Sequence, residues 1–92
     1  MLRIKEIAKA KGYQMKELAE LVGIDPVTLS RINTERESTT LDRLKIIAKE
    51  LDVQVKDLFS ESSTIHLILN DKAYTFYSLE ELKEFIQKKT DE

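Results

Sequence analysis

The segment around Asp25 and Pro26 carries the side chains best placed for binding chemistry. Asp25 can accept hydrogen bonds from the free amides of a new helix, and Pro26 loses no hydrogen bond at a first helical position. This start signal predicts a helix over residues 26–33 with Leu29 and Ile32 facing inward. The positions that then face outward or sideways are Val27, Thr28, Ser30, Arg31 and Asn33.

Arg31 lies in the middle of this helix, where a guanidinium group can reach guanine O6 and N7 in a bidentate pair, or a phosphate oxygen. The alternative is an exposed salt bridge to Glu35 at i+4, which is worth only about 0.3–0.5 kcal/mol. If the fold presents this helix to a duplex, we favour the contact with DNA.

Residue types suited to catalysis do not come together in this sequence. It has no nucleophile–base pair, no metal-ligand cluster and no glycine-rich phosphate loop, so we expect neither an enzyme nor a cofactor nor a metal. His66 stands alone on a strand face and is interpreted as a sheet or interface histidine. Tyr74, Phe76 and Tyr77 are interpreted as packing residues, because no basic residues interleave with them to form a base-stacking surface.

Length and composition are those of a soluble globular protein. The 92 residues, 41% hydrophobic and 35% charged, suit one compact domain or one small domain with an appendage. No apolar run approaches the roughly 20 residues that span a bilayer and no signal-peptide pattern opens the chain, so the expected location is the cytoplasm.

The net charge of −2 argues mildly against nucleic acid, although its distribution matters more than its sum. Residues 1–59 carry eleven basic and ten acidic side chains, whereas residues 60–92 carry four basic and seven acidic ones. The acidity therefore lies mainly in the C-terminal third, and any contact with DNA must come from a few placed residues.

Apolar residues at helical spacing predict five short helices in the first sixty residues. They are a helix ending near Lys11, a second from about Met15 to Val22, the helix over 26–33, a fourth from Thr39 or Thr40, and a short fifth from about Gln54. Gly23 stops the second helix, because glycine adopts the left-handed conformation that a sharp turn needs.

The hydrophobic period changes after a polar linker at residues 61–63. Residues 64–69 and 73–77 predict a β-hairpin, and Ser78 with Glu81 predicts the capping box of a following helix. This ββα tail, residues 64–92, is too small to fold alone, so it must dock on the first domain, pair with a second copy or bind another protein. Self-association is the most economical choice. The side chains predicted for the interface, with a second copy or with another protein, are Ile65, Leu67, Tyr74, Phe76, Leu82 and Phe85.

Two short helices joined at residues 22–25 form a helix-turn-helix. The major groove of DNA is wide enough for one α-helix, and the first helix of such a pair lies across the backbone and sets the angle of the second. Helix pairs are nevertheless common, and most bind nothing.

Residues 1–59 resemble the helix-turn-helix domain shared by phage Cro and C1 repressors and the Xre-type bacterial regulators. The matching residues, in the order and spacing of that domain, are Gly12-Tyr13, Leu18-Ala19-Glu20, Val22-Gly23-Ile24, Leu29-Ser30-Arg31-Ile32, Leu44, Ile47-Ala48, Leu51, Val53 and Leu58-Phe59. The resemblance implies a mainly α protein, with a five-helix lambda-repressor-like domain at residues 1–60 that binds double-stranded operator DNA, usually as a dimer, in a bacterium or phage.

The resemblance also implies positions for DNA contacts. Base edges are expected near Val27, Thr28, Ser30 and Arg31, and phosphates near Lys16, Asn33, Arg36 and Arg43. The alternative for each is an ordinary solvated residue.

Three positions depart from the family pattern. Met15 replaces a polar residue that commonly touches phosphate, and Pro26 replaces a glutamine that pairs with adenine. Glu35 stands where a glycine is usual, and a left-handed backbone there would cost about 1 kcal/mol or more. We therefore expect a re-formed loop with Asn33 or Thr34 as the cap.

Three functions remain open from the sequence. The first is a dimeric operator-binding repressor associated with the nucleoid. The second is an antitoxin-like protein whose tail binds a protein partner while the helix-turn-helix autoregulates. The third is a scaffold that has lost DNA binding, which the departures at Met15 and Pro26 keep open.

Overall fold

The computed structural model of the protein describes residues 2–60 and 64–90, and the predicted linker at 61–63 lies outside the described residues. Three short helices open the chain: α1 (Ile4–Ala10), α2 (Met15–Val22) and α3 (Pro26–Asn33). The predicted bounds of α2 and α3 are confirmed. Gly23 has φ of 70° directly after α2 and turns the chain sharply into α3.

The fourth helix, α4 (Leu41–Glu50), begins one or two residues later than predicted. The hydroxyl of Thr40 caps it by accepting a hydrogen bond of 3.1 Å from the backbone N–H of Arg43. Thr39 and Thr40 themselves form a short strand, β1 (Thr39–Thr40). Both threonines are β-branched and therefore suit an extended backbone when a partner strand is available.

The predicted fifth helix is a single 3₁₀ turn, Val55–Leu58. The backbone N–H of Gln54 donates a 3.0 Å hydrogen bond to the carboxylate of Asp57, which fixes the start of the turn. Phe59 is already extended, so only four residues are available, and the tighter i→i+3 pattern suits so short a segment.

The tail forms the predicted hairpin and helix: β2 (Ile65–Leu69), β3 (Lys72–Phe76) and α5 (Leu79–Thr90). Asn70 and Asp71 make a two-residue turn, one residue shorter than predicted, and both have positive φ. The strands form one sheet in the order β1-β2-β3, with β2 parallel to β1 and antiparallel to β3. The tail therefore adds two strands to one supplied by the helical region.

A modified capping box opens α5. The Ser78 hydroxyl accepts a hydrogen bond of 3.2 Å from the Glu81 N–H, as predicted. The Glu81 carboxylate accepts from the N–H of Tyr77 at 2.9 Å, one residue before the usual position.

The helices and the tail share one hydrophobic core. Leu29, Leu44 and Leu58 are buried in the same cluster as apolar residues of the hairpin and α5. Four of the predicted interface side chains belong to it, namely Ile65, Leu67, Phe76 and Leu82. They cannot contact a second copy without unfolding, so their assignment to an interface is corrected. The alternating pattern correctly marked the apolar face, but that face packs on the protein's own helices.

Tyr74 and Phe85, the other two predicted interface residues, are half-buried at the edge of the core. Their rings pack with centroids 4.9 Å apart, and Phe85 also packs on Phe76 at 5.1 Å. This aromatic group joins α5 to β3. Within the part of the chain that the structure describes, no helix is long and apolar enough to cross a membrane.

Candidate nucleic-acid interface

Two buried side chains and one cap hold α3 in place. Leu29 and Ile32 are buried, which fixes the rotation of the helix about its axis. The carboxylate of Asp25 accepts hydrogen bonds from the N–H groups of Val27 at 2.9 Å and Thr28 at 3.4 Å. The predicted helix start is thus confirmed, with Pro26 at the first helical position.

The outward face of α3 borders an open concavity of about 480 Å³. Its lining residues are Pro26, Val27, Ser30, Arg31, Thr34 and Arg36. Val27 is 58% exposed, Ser30 and Arg31 are exposed, and Thr28 is half-buried at the side of the helix. The surface thus combines a branched methyl group, hydroxyls and guanidinium groups, the types that meet thymine methyls, base edges and phosphates.

Arg31 does not form the alternative salt bridge. Within residues 2–60 and 64–90 the ion pair present joins Arg3 and Glu6 at 3.3 Å, on the exposed surface of α1. The guanidinium of Arg31 is therefore not engaged by a carboxylate of the described chain, and it stands on the exposed face of α3.

The helix ends in a Schellman motif. The N–H of Glu35 donates to the carbonyl of Ile32 at 3.1 Å, and the N–H of Arg36 donates to the carbonyl of Arg31 at 2.8 Å. Glu35 has φ of 64°, so the left-handed conformation is kept and the expected re-formed loop is wrong. Thr34 occupies the cap position, as one of the two predicted candidates.

Two side-chain contacts stabilise this helix end. The hydroxyl of Thr34 donates to the carbonyl oxygens of Ser30 and Arg31 at 3.1 and 3.3 Å. The carboxylate of Glu35 accepts a hydrogen bond of 3.2 Å from the N–H of Thr64 at the start of the tail. Neither of these two side-chain hydrogen bonds was predicted; a threonine four residues after Ser30 was the available signal for the first.

Asn33 does not lie on the exposed surface. The residue is only 3% exposed, and its Oδ1 accepts a hydrogen bond of 3.2 Å from the N–H of Lys5. Its backbone carbonyl also accepts from the N–H of Leu2 at 2.7 Å. Asn33 therefore joins the end of α3 to the start of the chain, and its burial opposes the predicted phosphate contact.

The other three predicted phosphate-binding residues are exposed. Lys16 lies in the first turn of α2, Arg36 follows α3, and Arg43 lies in the first turn of α4. Arg36 shares the concavity with the exposed face of α3, whereas Lys16 and Arg43 are not among its lining residues. Met15, the apolar departure at the start of α2, is half-buried and packs against the core.

Comparisons with known proteins agree with this geometry. Residues 4–58 match the helix-turn-helix family. The chain is 34% identical over 76 residues to the HTH-type transcriptional regulator SinR of Bacillus licheniformis, which corresponds to 82% of this chain and 60% of that protein. The aligned stretch is longer than the helical region and therefore includes part of the tail. The comparison with solved structures gave no match.

The chain spans only about 60% of the length of the curated relative that it matches. The family match nevertheless covers more than half of the chain, from the start of α1 to the end of the 3₁₀ turn. On this match, and on the helix pair α2–α3 with its sharp turn at Gly23, the chain belongs to the Cro/C1 (Xre) type of helix-turn-helix proteins, a family of DNA-binding transcriptional regulators.

Proposed function

We propose that this protein binds double-stranded DNA by inserting α3 into the major groove and thereby regulates transcription. The observation that carries the proposal is the exposed face of α3, held by the Asp25 cap and the buried Leu29 and Ile32. A rigid helix that presents polar groups outward matches the way in which such motifs read base edges. The base-contacting residues in this proposal are Val27, Thr28, Ser30 and Arg31.

Phosphate contacts would position the helix on the duplex. Lys16 on α2, Arg36 after α3 and Arg43 on α4 are exposed, and each can neutralise one phosphate. The N-terminal amides of α2 also favour an anion near Lys16. Asn33 is left out, because its buried oxygen is already engaged by the N–H of Lys5.

We further infer that two copies act together as a repressor. The net charge of −2 leaves one copy with few phosphate contacts, and a two-fold dimer doubles them. Such a dimer would read two half-sites about 34 Å apart, or one turn of DNA. By occupying an operator it would block other proteins from the same DNA, on the chromosome of a bacterium or phage.

The alternative that makes the tail primarily a partner-binding element rested, like self-association of the tail, on the same six side chains. Most of them, including Leu67 and Phe76, are buried in the protein's own core and support neither interface. The alternative of a scaffold without DNA binding is also weakened, since Met15 is a packing residue and Pro26 a regular helix start.

Selection of bound fragments from the source genome tests the proposal directly. We expect enrichment of a pseudo-palindrome whose half-site centres lie about 10–10.5 base pairs apart. Gel shift at low salt with an enriched fragment and with a scrambled one of the same length gives the specificity. If no fragment is enriched and the two DNAs bind equally, the proposed function is wrong.

A further inference from the structure

An open groove of about 440 Å³ lies where the helical region meets the tail. One side is formed by α4 and the 3₁₀ turn, and the other by the end of β2, the hairpin turn and α5. Small-molecule sites have volumes of this order and often lie where two structural units meet. Most of the described lining residues are apolar, namely Leu41, Val55, Leu69, Phe85 and Ile86.

These five apolar residues are only half-buried, although each packs against the hydrophobic core. Each one therefore keeps part of its apolar surface in water, and the groove gathers these surfaces into a single concave patch. Removing apolar surface from water is favourable in proportion to the area removed. A ligand with an apolar body therefore gains free energy by filling the groove.

The two polar residues of the groove can both donate hydrogen bonds. Lys45 lies one turn after Leu41 on the same face of α4, and Asn70 lies in the hairpin turn; both are exposed. No acidic residue lines the groove among the described residues. Within residues 2–60 and 64–90 the ion pair present joins Arg3 and Glu6, so the ammonium group of Lys45 is not engaged by a carboxylate there.

A second, smaller cavity of about 290 Å³ adjoins the groove, and Val55 and Ile86 line both. The whole chain has 17 acidic and 15 basic side chains, yet among the described residues only amides and lysines form the polar lining of both cavities. This local excess of positive charge favours a negatively charged ligand. In the second cavity the polar lining residues are Gln54, Lys56, Lys83 and Gln87.

We propose that the groove binds a small amphipathic carboxylate, of the type of a medium-chain fatty acid. The alkyl chain lies against the apolar residues of the groove. The carboxylate lies at the rim, where it accepts hydrogen bonds from the ammonium group of Lys45 and the side-chain amide of Asn70. Because both of these residues are exposed, the carboxylate keeps part of its hydration and its charge is not buried. A head group with a single negative charge matches the one lysine of the groove.

This site is separate from the surface proposed to bind DNA. None of its described lining residues lies on α3, and neither Lys16, Arg36 nor Arg43 is among them. The ligand contacts both the helical region and the tail, so it binds only the folded arrangement of the two and stabilises it. The inference does not depend on the proposed function, and its test needs no DNA.

A titration of the isotope-labelled wild-type chain with decanoate, below its micelle-forming concentration, tests the site by NMR. We expect saturable binding of one molecule per chain, with amide shifts at Val55, Leu69 and Ile86. The amides of Leu21 and Val27, whose exposed apolar side chains lie outside the groove, are expected to stay unchanged. Absence of saturable binding, or shifts spread equally over these exposed residues, would overturn the proposal.

A series of ligands separates the two halves of the recognition. Decanoate is expected to bind at least about four-fold more tightly than octanoate, because each methylene removed from water contributes a factor of about two to four. Decyltrimethylammonium, with the same chain and the opposite charge, is expected to bind at least about five-fold more weakly than decanoate. Equal binding of the two ten-carbon ligands would show an apolar surface without carboxylate recognition, and the proposal would be wrong.

Lys45→Gln and Asn70→Asp test the position of the carboxylate in the full chain. Each substitution is at an exposed residue, and aspartate tolerates the left-handed backbone of the turn. Each should lower the affinity for decanoate by about three- to five-fold, and the increase in unfolding temperature with decanoate should shrink accordingly. Lys49→Gln, which removes an exposed lysine of α4 outside the groove, is the control and should bind like wild type. Equal decanoate affinities in all three variants would contradict the proposed carboxylate contact.

Discussion

The carboxylate of Glu35 accepts a hydrogen bond of 3.2 Å from the backbone N–H of Thr64. Glu35 is the left-handed residue that follows α3, and Thr64 immediately precedes the first strand of the tail. One side chain therefore links the end of α3 to the sheet. The parallel pairing of Thr39 with Leu67 strengthens the same junction. The tail is thus built onto the loop that follows α3.

Glu35→Gly and Glu35→Ala separate the hydrogen bond from the backbone strain at this position. Both variants lose the carboxylate, which should cost about 1–3 kcal/mol of the free energy of unfolding. Only alanine keeps a Cβ atom in the left-handed backbone, so the glycine variant should be the more stable of the two by about 1 kcal/mol. Urea unfolding measures both values. Equal stabilities would show that residue 35 does not keep positive φ in solution.

Asn33→Ala should lower the stability of the protein without changing how the folded protein binds DNA. The variant leaves the partly buried N–H of Lys5 without its side-chain acceptor, at an expected cost of about 1–3 kcal/mol. Urea unfolding and operator affinity are measured on the same preparation, below the unfolding transition. A loss of affinity with unchanged stability would return Asn33 to the phosphate-binding residues.

Arg31→Ala should weaken binding to the selected operator by about 1–3 kcal/mol. Because the side chain is exposed, the free energy of unfolding should change by less than about 0.5 kcal/mol. Arg31→Lys keeps the positive charge but loses the planar guanidinium group, which can donate two parallel hydrogen bonds to guanine. The variant should therefore discriminate less between operator and scrambled DNA. Lys9→Ala, which removes an exposed positive charge from α1, is the control. An operator affinity equal to that of wild type would remove Arg31 from the site.

Lys16→Gln, Arg36→Gln and Arg43→Gln test the phosphate contacts. Each should reduce the slope of log affinity against log salt concentration by about 1, because one fewer counterion is released. Operator and scrambled DNA should be weakened alike, since phosphates carry no sequence information. Lys49→Gln, at an exposed position late in α4, is the control. If the salt slope of a variant equals that of the control, the residue replaced in that variant does not contact phosphate.

Much of the helical region could be predicted because its signals are local. Asp25 and Pro26 start α3 through the free amides of its own first turn, and Gly23 supplies the turn before it within a few residues. The hairpin followed from the change of hydrophobic period and the Asn70–Asp71 turn. The exposed positions of α3 followed from the inward spacing of Leu29 and Ile32.

Contacts between distant parts of the chain were not predictable in this way. The burial of Asn33 depends on the N–H of Lys5, 28 residues earlier, and the role of Glu35 depends on Thr64, 29 residues later. The strand at Thr39–Thr40 exists because β2 lies beside it. No pattern within a single segment indicates such a partner.

By itself, the sequence determined the helix-turn-helix, the exposed face of α3 and the presence of a ββα tail, because periodicity, caps and turns act over a few residues. Only the tertiary structure decided where the apolar face of the tail is buried. An alternating strand shows that one of its faces must leave water, yet it does not specify whether that face covers the protein's own helices or a second copy. The burial of Leu67 shows that this face covers the protein's own helices.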